Sequence, residues 1–239
     1  MNSPCIAGFD RVLLRELADG VGKIFQNAEA LYQEAKILGA AGAISRALFL
    51  HQISLEECAK IETVCWWATS LLAGLPVNQK KVVEGFASHA LKNQTNAYML
   101  EGSEQEQAAK ARGDWKAALQ EFKKLQAEFH QKSNDAKNSA LYVDFKDVKF
   151  IAPVDRITHT MLAETAARNK TFLGEAYPKI RWLSKLTQAP EQTREQIIAF
   201  QNVIKAAKNP NEAMASLRML IDELAAIERA KGAAKPKSD

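Results

Sequence analysis

The sequence has 239 residues, of which 47% are hydrophobic, and its 32 Lys and Arg against 28 Asp and Glu give a net charge of +4. A chain of this length and composition can bury a sizeable core, which excludes a disordered protein. The charge is too mild and too evenly spread to indicate nucleic-acid binding by itself. Only seven prolines and eleven glycines interrupt a chain rich in helix-forming residues, so we predict an all-α protein.

The predicted elements begin with four helices, over residues 21–39, 43–75, 79–100 and 104–138. The second is the most apolar stretch of the chain, contains Trp66 and Trp67, and ends at the Gly74 and Pro76 break. A helix that is apolar on all sides is typically buried. We therefore expect 43–75 to be the central helix of a multi-helix bundle. The fourth helix is expected to loosen at Gly113.

The helical pattern breaks at residues 141–145, which we predict to be one short extended segment ending near Pro153. Helices then resume over 154–176, 191–208 and 211–231. The last of these carries a continuous apolar stripe made of Met214, Leu217, Ile221, Leu224 and Ile227. The stripe favours packing onto the bundle or onto a second copy of the chain.

No internal repeat and no Gly/Ser-rich linker divides the chain. We predict an N-terminal segment over 1–20, a helical bundle domain over 21–178, and a C-terminal helical extension over 190–231 that packs on the bundle or on a dimer partner. Residues 232–239 form a predicted disordered basic tail.

The N-terminal sequence lacks a basic region followed by an apolar run, and no apolar run approaches the ~20 residues that span a bilayer. We therefore expect a soluble cytoplasmic protein. Cys58 and Cys65 are about 10 Å apart by helical rise, too far for a disulfide, and are expected to be reduced core thiols. No metal-ligand spacing accompanies them, and no cofactor is predicted.

The first group of charged residues that can carry chemistry is Glu56-Glu57-Cys58-Ala59-Lys60, in the central apolar helix. Glu56 and Lys60 are four residues apart and Glu57 and Lys60 are three apart, so either carboxylate can meet the ammonium on one face. Such pairs on a surface helix serve solubility. Charges within an apolar helix, however, need partners or a cavity.

The second group is His89 and Lys92, which are one turn apart on the third predicted helix. A neighbouring ammonium disfavours protonation of the imidazole, which suits a general base or a phosphate contact. The alternative is a histidine at the solvated edge of the core.

The third group joins Lys137 to Tyr142 and Asp144, at the end of the fourth helix and in the extended segment. Alternation along a strand places the Tyr142 phenol and the Asp144 carboxylate on the same side. In the structural alternative, Tyr142 fills the core and Asp144 fixes a turn.

These groups, in this order, resemble the AbiV-type abortive infection proteins. The resemblance is carried by the segments NAEALYQEAKIL, EECAK, FASHALK and KNSALYVDF, the last followed at a short distance by Pro153. It covers roughly Asn27 to the region after Pro153, and the order and spacing of the segments carry it.

The resemblance implies a HEPN-like helical bundle that aborts phage infection by acting on RNA or translation, and that a phage-encoded protein activates. HEPN ribonucleases work as homodimers without metal, and carry Arg, four to six residues, then His. Arg46 and His51 match that spacing. Their side chains, however, are about 140° apart on a continuous helix within an apolar run, so we do not assign them to the site.

RNA cleavage needs a base for the 2′-hydroxyl, an acid for the leaving oxygen and a cation for the phosphorane charge. The candidate catalytic residues for these roles are Glu57, Lys60, His89, Lys92, Lys137, Tyr142 and Asp144. They can act together only if the fold gathers them around one pocket. The rival hypotheses are a non-catalytic helical interaction protein that binds a phage or host protein, and a helical domain of unrelated function.

Overall fold

The computed structural model describes residues 9–210, 212–213, 215–217 and 219–220. The helices up to residue 188 are α1 (Arg11–Ala40), α2 (Ile44–Ala73), α3 (Gln79–Ala87), α4 (His89–Asn96), a 3₁₀ turn (Ala97–Met99), α5 (Glu104–Ala111), α6 (Trp115–Leu141), α7 (Pro153–Arg156) and α8 (His159–Gln188). Two strands, β1 (Asp144–Lys146) and β2 (Lys149–Ile151), form a small hairpin. The all-α class is confirmed.

The first helix begins at Arg11 rather than at the predicted residue 21. Asp10 caps it, because its carboxylate accepts hydrogen bonds from the backbone N–H groups of Val12 and Leu13 at 2.9 Å each. Leu14 and Leu17 extend the buried face that continues into the predicted helix. Their burial outweighs the cost of about 1 kcal/mol for each glycine at positions 20 and 22.

Helix α2 lies at the centre of the bundle, as predicted, and contacts α1, α4, α6 and α8. Residues on all sides of α2 are buried, among them Leu48, Leu55 and Leu72. The helix ends where Gly74 adopts a left-handed conformation with φ of 70°, which a residue without a Cβ adopts freely.

Two of the predicted helices are interrupted. Ser88 separates α3 from α4, and its hydroxyl accepts a hydrogen bond from the Leu91 backbone N–H at 3.3 Å. Gly113, with φ of 74°, separates α5 from α6, and Asp114 caps α6 through the Ala117 backbone N–H at 3.0 Å. Both breaks occur because a capping side chain satisfies the exposed N–H groups of a new helix start.

The predicted extended segment is a hairpin. Leu141 still belongs to α6, and β1 pairs antiparallel with β2, placing Phe145 opposite Phe150 and Lys146 opposite Lys149. The turn residues Asp147 and Val148 have φ of 50° and 61°. This positive-φ turn normally takes Asn-Gly or Asp-Gly, so the sequence carried no clear hairpin signal.

The helix predicted over 154–176 is divided into α7 and the longer α8, which continues through Pro178. The chain separates into two compact units whose boundary lies between Gln188 and Ala189. The second unit contains α9 (Pro190–Ala206). Most of the predicted helix over 211–231 and the predicted tail lie outside the described residues. In the described part of the chain, no helix has the length and apolarity required to cross a membrane.

Candidate functional site

A buried carboxylate on the central helix forms the centre of the candidate site. Glu56 is 2% exposed. Its Oε1 accepts a hydrogen bond from Lys137 Nζ at 3.0 Å, and its Oε2 accepts one from Lys92 Nζ at 2.9 Å. Oε2 is also hydrogen-bonded to Nδ1 of His89. The structure therefore brings three of the predicted site residues together around Glu56, and we call these four residues the Glu56 cluster.

Three helices contribute to the cluster: α2 provides Glu56, α4 provides His89 and Lys92, and α6 provides Lys137. The side chains of Lys92 and Lys137 are 10% and 9% exposed, whereas that of His89 is 54% exposed. Two cations are thus held in the interior, and one imidazole lies at its edge. Buried charges of this kind are tolerated only when paired and hydrogen-bonded, as they are here.

The electrostatics of the cluster favour the ionised carboxylate. Burial by itself raises the pKa of Glu56, but the hydrogen bonds from Lys92, His89 and Lys137 outweigh burial and hold the pKa below its ordinary value. Glu56 is therefore an anion at neutral pH. The imidazole of His89 shares this anion with two ammonium groups.

Helix α4 is fixed in place by polar side chains that the sequence reasoning did not single out. The Asn96 amide donates to the Leu55 carbonyl of α2 at 2.8 Å. The Asn93 amide lies 3.4 Å from Nδ1 of His130 on α6. Both asparagines are buried. Because Ser88 starts α4, His89 occupies its first position and Lys92 follows one turn later.

Glu57 and Lys60 form a separate ion pair and take no part in the hydrogen bonds of the Glu56 cluster. Glu57 also accepts a hydrogen bond from the Asn27 side chain of α1 at 3.1 Å. Adjacent helical residues are rotated by about 100°, so Glu56 and Glu57 face different neighbours. Of the two pairs that the spacing allowed, the structure forms the one between Glu57 and Lys60.

Tyr142 and Asp144 lie at the hairpin, and neither has a hydrogen bond to the Glu56 cluster in the described part of the chain. The Tyr142 side chain is 59% exposed rather than in the core. Asp144 forms an ion pair with Arg156, which also donates to Ser139 Oγ at 3.2 Å. The seven predicted residues therefore do not share one cluster, because α6 ends before Tyr142 and the chain leaves the bundle there.

The sequence pattern indicated Glu56 as a possible partner of Lys60, but the adjacent Glu57, and not Glu56, was assigned to the predicted site. The available signal for Glu56 was its position in the most apolar helix, where an unpaired carboxylate is costly. The partners of Glu56 are His89, Lys92 and Lys137, which lie 33, 36 and 81 positions further along the chain. Only the fold brings them close to Glu56.

A second buried polar group surrounds His51, which is 2% exposed, whereas Arg46 is exposed. The Asn169 amide lies 3.1 Å from Nδ1 of His51, and its carbonyl oxygen lies 3.1 Å from the Ser54 hydroxyl. The Ser54 hydroxyl donates to the Ala28 carbonyl at 2.7 Å. These contacts join α1, α2 and α8, so His51 has a packing role.

Burial lowers the pKa of His51 to about 4. Because the folded state favours the neutral ring, this contribution to stability is complete above pH 6.5 and declines as the pH falls towards 4. We expect the free energy of unfolding to fall by about 2 kcal/mol between pH 7.5 and 5 through this group. Urea unfolding of the wild type and His51→Gln at both pH values measures the effect. Equal pH dependence in both proteins would contradict it.

The fold and the cluster define the class: an all-α bundle protein with an ion-paired carboxylate at its centre. The chain belongs to the AbiV family, because the HEPN-type AbiV family model matches residues 16–174, more than half of its length. That range contains the whole Glu56 cluster.

The chain is also similar to the uncharacterized protein y4gJ of Sinorhizobium fredii (strain NBRC 101917 / NGR234), with 50% identity over 109 residues. The aligned part is 46% of this chain and 57% of y4gJ. The chain thus spans little more than half the length of this relative. No solved structure matches the chain.

Proposed function

We propose that this protein is an abortive-infection ribonuclease that cleaves RNA at the Glu56 cluster without a metal ion. The observation that carries the proposal is the hydrogen bond between Glu56 and Nδ1 of a half-exposed His89, with the ammonium groups of Lys92 and Lys137 on the same carboxylate. A carboxylate that fixes the orientation of a histidine through Nδ1 leaves Nε2 for a substrate proton.

In the proposed reaction, Nε2 of His89 takes the proton of the RNA 2′-hydroxyl, and the 2′-oxygen attacks the adjacent phosphorus. The bond from phosphorus to the 5′-oxygen breaks, and that oxygen takes a proton from the Lys92 ammonium. The products are a 2′,3′-cyclic phosphate and a 5′-hydroxyl end. Glu56 stabilises the imidazolium that forms, and Lys137 offsets the charge of the phosphorane.

The cellular consequence is arrest of growth or translation in infected cells, which aborts the infection. The proposed target is cellular or ribosome-associated RNA, and the proposed trigger is a phage-encoded protein. These proposals go beyond the family membership. They follow from the proposed chemistry, because cleavage of cellular RNA would stop protein synthesis for host and phage alike.

The test is incubation of the protein, in the presence of EDTA, with a labelled RNA and with DNA of the same sequence. We expect cleavage of the RNA only, with a 2′,3′-cyclic phosphate at the new end, because DNA lacks the attacking hydroxyl. The assay is repeated with extract from infected cells, to supply the trigger. Intact RNA in both settings, or cleavage of both polymers, would contradict the proposal.

A second candidate function, a protein-binding module, is favoured by the hairpin. Large apolar side chains in the hairpin and directly beside it are exposed, namely Tyr142, Val143, Phe145, Val148, Phe150 and Val154. A two-stranded hairpin is marginally stable in water without a covering partner. In the described part of the chain, no backbone group hydrogen-bonds the outer edge of either strand. Such an edge is a template for pairing with another chain.

We propose that the hairpin binds a second copy of the chain, forming a homodimer. In an antiparallel pair of β1 strands centred on Phe145, Asp144 of each copy lies opposite Lys146 of the other. Opposite charges directly across strands are stabilising. Phe145 and Phe150 form a tilted ring pair with centroids 4.9 Å apart. In the dimer, these rings would also pack against the same rings of the second copy.

Replacement of both Phe145 and Phe150 by serine is expected to weaken self-association at least tenfold, because the apolar contact across the strands is lost. Analytical ultracentrifugation over a concentration series measures this constant. Val12→Ser, which removes an exposed apolar side chain elsewhere, is the control and should have no effect. A monomeric wild type, or a double variant that dimerises equally well, would count against the hairpin.

A further inference from the structure

A small cavity adjoins the Glu56 cluster on the side of α3. Its volume is about 180 Å³. Three lysines line it, Lys60 from α2, Lys81 from α3 and Lys92 from α4, together with the hydroxyl residues Thr63 and Thr95. Lys92 therefore belongs both to this cavity, which we call the lysine cavity, and to the Glu56 cluster.

The lysine cavity carries an excess of positive charge. Lys60 is paired with Glu57, and Lys92 with Glu56. Lys81 has no carboxylate partner in the described part of the chain, and its backbone N–H donates to Oδ1 of Asn78. Glu56 is moreover shared with other cations of its cluster, so the three ammonium groups are not neutralised by these two carboxylates. An anion in the cavity would offset part of this excess.

The free hydrogen-bonding capacity of the cavity is mainly that of donors. An ammonium group has three N–H donors, and Lys92 directs one of them to Glu56, at 2.9 Å. The hydroxyl of Thr95 already donates to the Leu91 carbonyl at 2.9 Å. The remaining ammonium protons suit a ligand made of acceptor oxygens, such as a phosphate.

The size and lining of the cavity select the kind of phosphate. Ligand sites that enclose a whole small molecule have volumes of about 300–1,000 Å³, so this cavity takes a phosphate group rather than a complete nucleotide. Val82 and Phe86 give the cavity an apolar side. This side suits the sugar carbons that flank a phosphate in a nucleic-acid strand.

We propose that the lysine cavity binds a backbone phosphate of the RNA strand, next to the phosphate that is cleaved. The inference rests on the proposed function and names a subsite for its substrate. Because Lys92 is one helical turn from His89 and contacts the same carboxylate, a phosphate in the cavity holds the strand beside the imidazole. Lys60 and Lys81 then position the strand and take no part in proton transfer.

The experiment titrates the full chain with inorganic phosphate and with a DNA oligonucleotide, which the enzyme cannot cleave. Calorimetry at low ionic strength gives the affinity, and backbone amide NMR shifts at Lys81 and Gly85 locate the ligand. Lys81→Ala should weaken oligonucleotide binding about fivefold to tenfold, through loss of a charge-assisted contact. The matched control is Lys80→Ala, at the exposed neighbouring lysine whose Nζ lies 4.0 Å from Glu84 Oε1. This variant should change the oligonucleotide affinity less than twofold.

Equal effects of the two lysine variants, or phosphate-induced shifts elsewhere on the surface, would overturn the lysine cavity as a subsite. RNA cleavage that is insensitive to Lys81→Ala would overturn the subsite and leave the ribonuclease standing. Phosphate binding that depends on Lys81, in a protein that cleaves no RNA, would support an anion site and remove the proposed function instead.

Discussion

Replacement of Glu56 by glutamine will lower the free energy of unfolding by about 3–5 kcal/mol, the cost of removing one partner from a buried charge group. Lys92 and Lys137 are buried and would remain as cations without an anion. Chemical denaturation at neutral pH measures the loss. The pKa of Glu56 is lowered, so its contribution is present above about pH 4.5 and is lost as the pH falls through the folded value.

The matched control for this variant is Glu57→Gln, on the adjacent carboxylate. Glu57 is partly buried and pairs with a single cation, Lys60, instead of two buried ones, so the expected loss is smaller, about 1–3 kcal/mol. A triple variant with Glu56, Lys92 and Lys137 all changed to methionine should recover much of the stability, because no buried charge is left unpaired. Equal losses for the two single variants would show that Glu56 is not the anion that stabilises the interior.

Replacement of His89 by alanine will reduce RNA cleavage about 10²–10⁴-fold, the usual contribution of a general base. The fold should be retained, because the imidazole is half-exposed and Lys92 and Lys137 still balance Glu56. Initial rates of cleavage of a labelled RNA, together with a thermal unfolding curve for each protein, separate these two effects.

His159→Ala is the control for His89→Ala, since His159 is an exposed histidine at the start of α8. Its cleavage rate should match that of the wild type. If His89→Ala retained full activity, the base would have to be another group. If it lost activity only by unfolding, the histidine would have a structural role alone.

Much of the fold follows from the sequence. The apolar content of α2 and the break at Gly74 placed the central helix almost to the residue, because burial on all sides and a left-handed glycine both have plain sequence signals. The division of α3 from α4 was missed. Ser88 can be identified as the cap of α4 only if α3 is known to end before it. The sequence did not indicate that end, because the helical pattern continues on both sides of Ser88.

The candidate site was predictable only in part. His89 and Lys92 could be selected because they lie one helical turn apart, and Lys137 because it lies at the helix end before Tyr142 and Asp144. The structure brings these three residues together. The choice between Glu56 and Glu57 could not be made, because adjacent residues differ by about 100° around the helix and the sequence does not fix which face meets α4. The partners of Glu56 come from distant segments, which local patterns do not relate.

The hairpin shows a different limit. Tyr142 and Asp144 alternate as strand residues do, but alternation does not say whether a strand packs on the bundle or projects from it. The turn at Asp147 and Val148 adds a positive φ at a β-branched residue, which sequence rules disfavour. The exposure of both strands was therefore visible only in the structure.

The orientation of His89 by Glu56 is tested most directly by the imidazole nitrogen resonances of His89 in ¹⁵N-labelled protein at neutral pH. We expect the wild type to carry its proton on Nδ1, hydrogen-bonded to the carboxylate, and Glu56→Gln to lose this preference while Glu57→Gln keeps it. A His89 ring that carries its proton on Nε2 in all three proteins would contradict the proposed role of Glu56 in orienting His89. In that tautomer, Nε2 has no lone pair to accept the proton of the RNA hydroxyl.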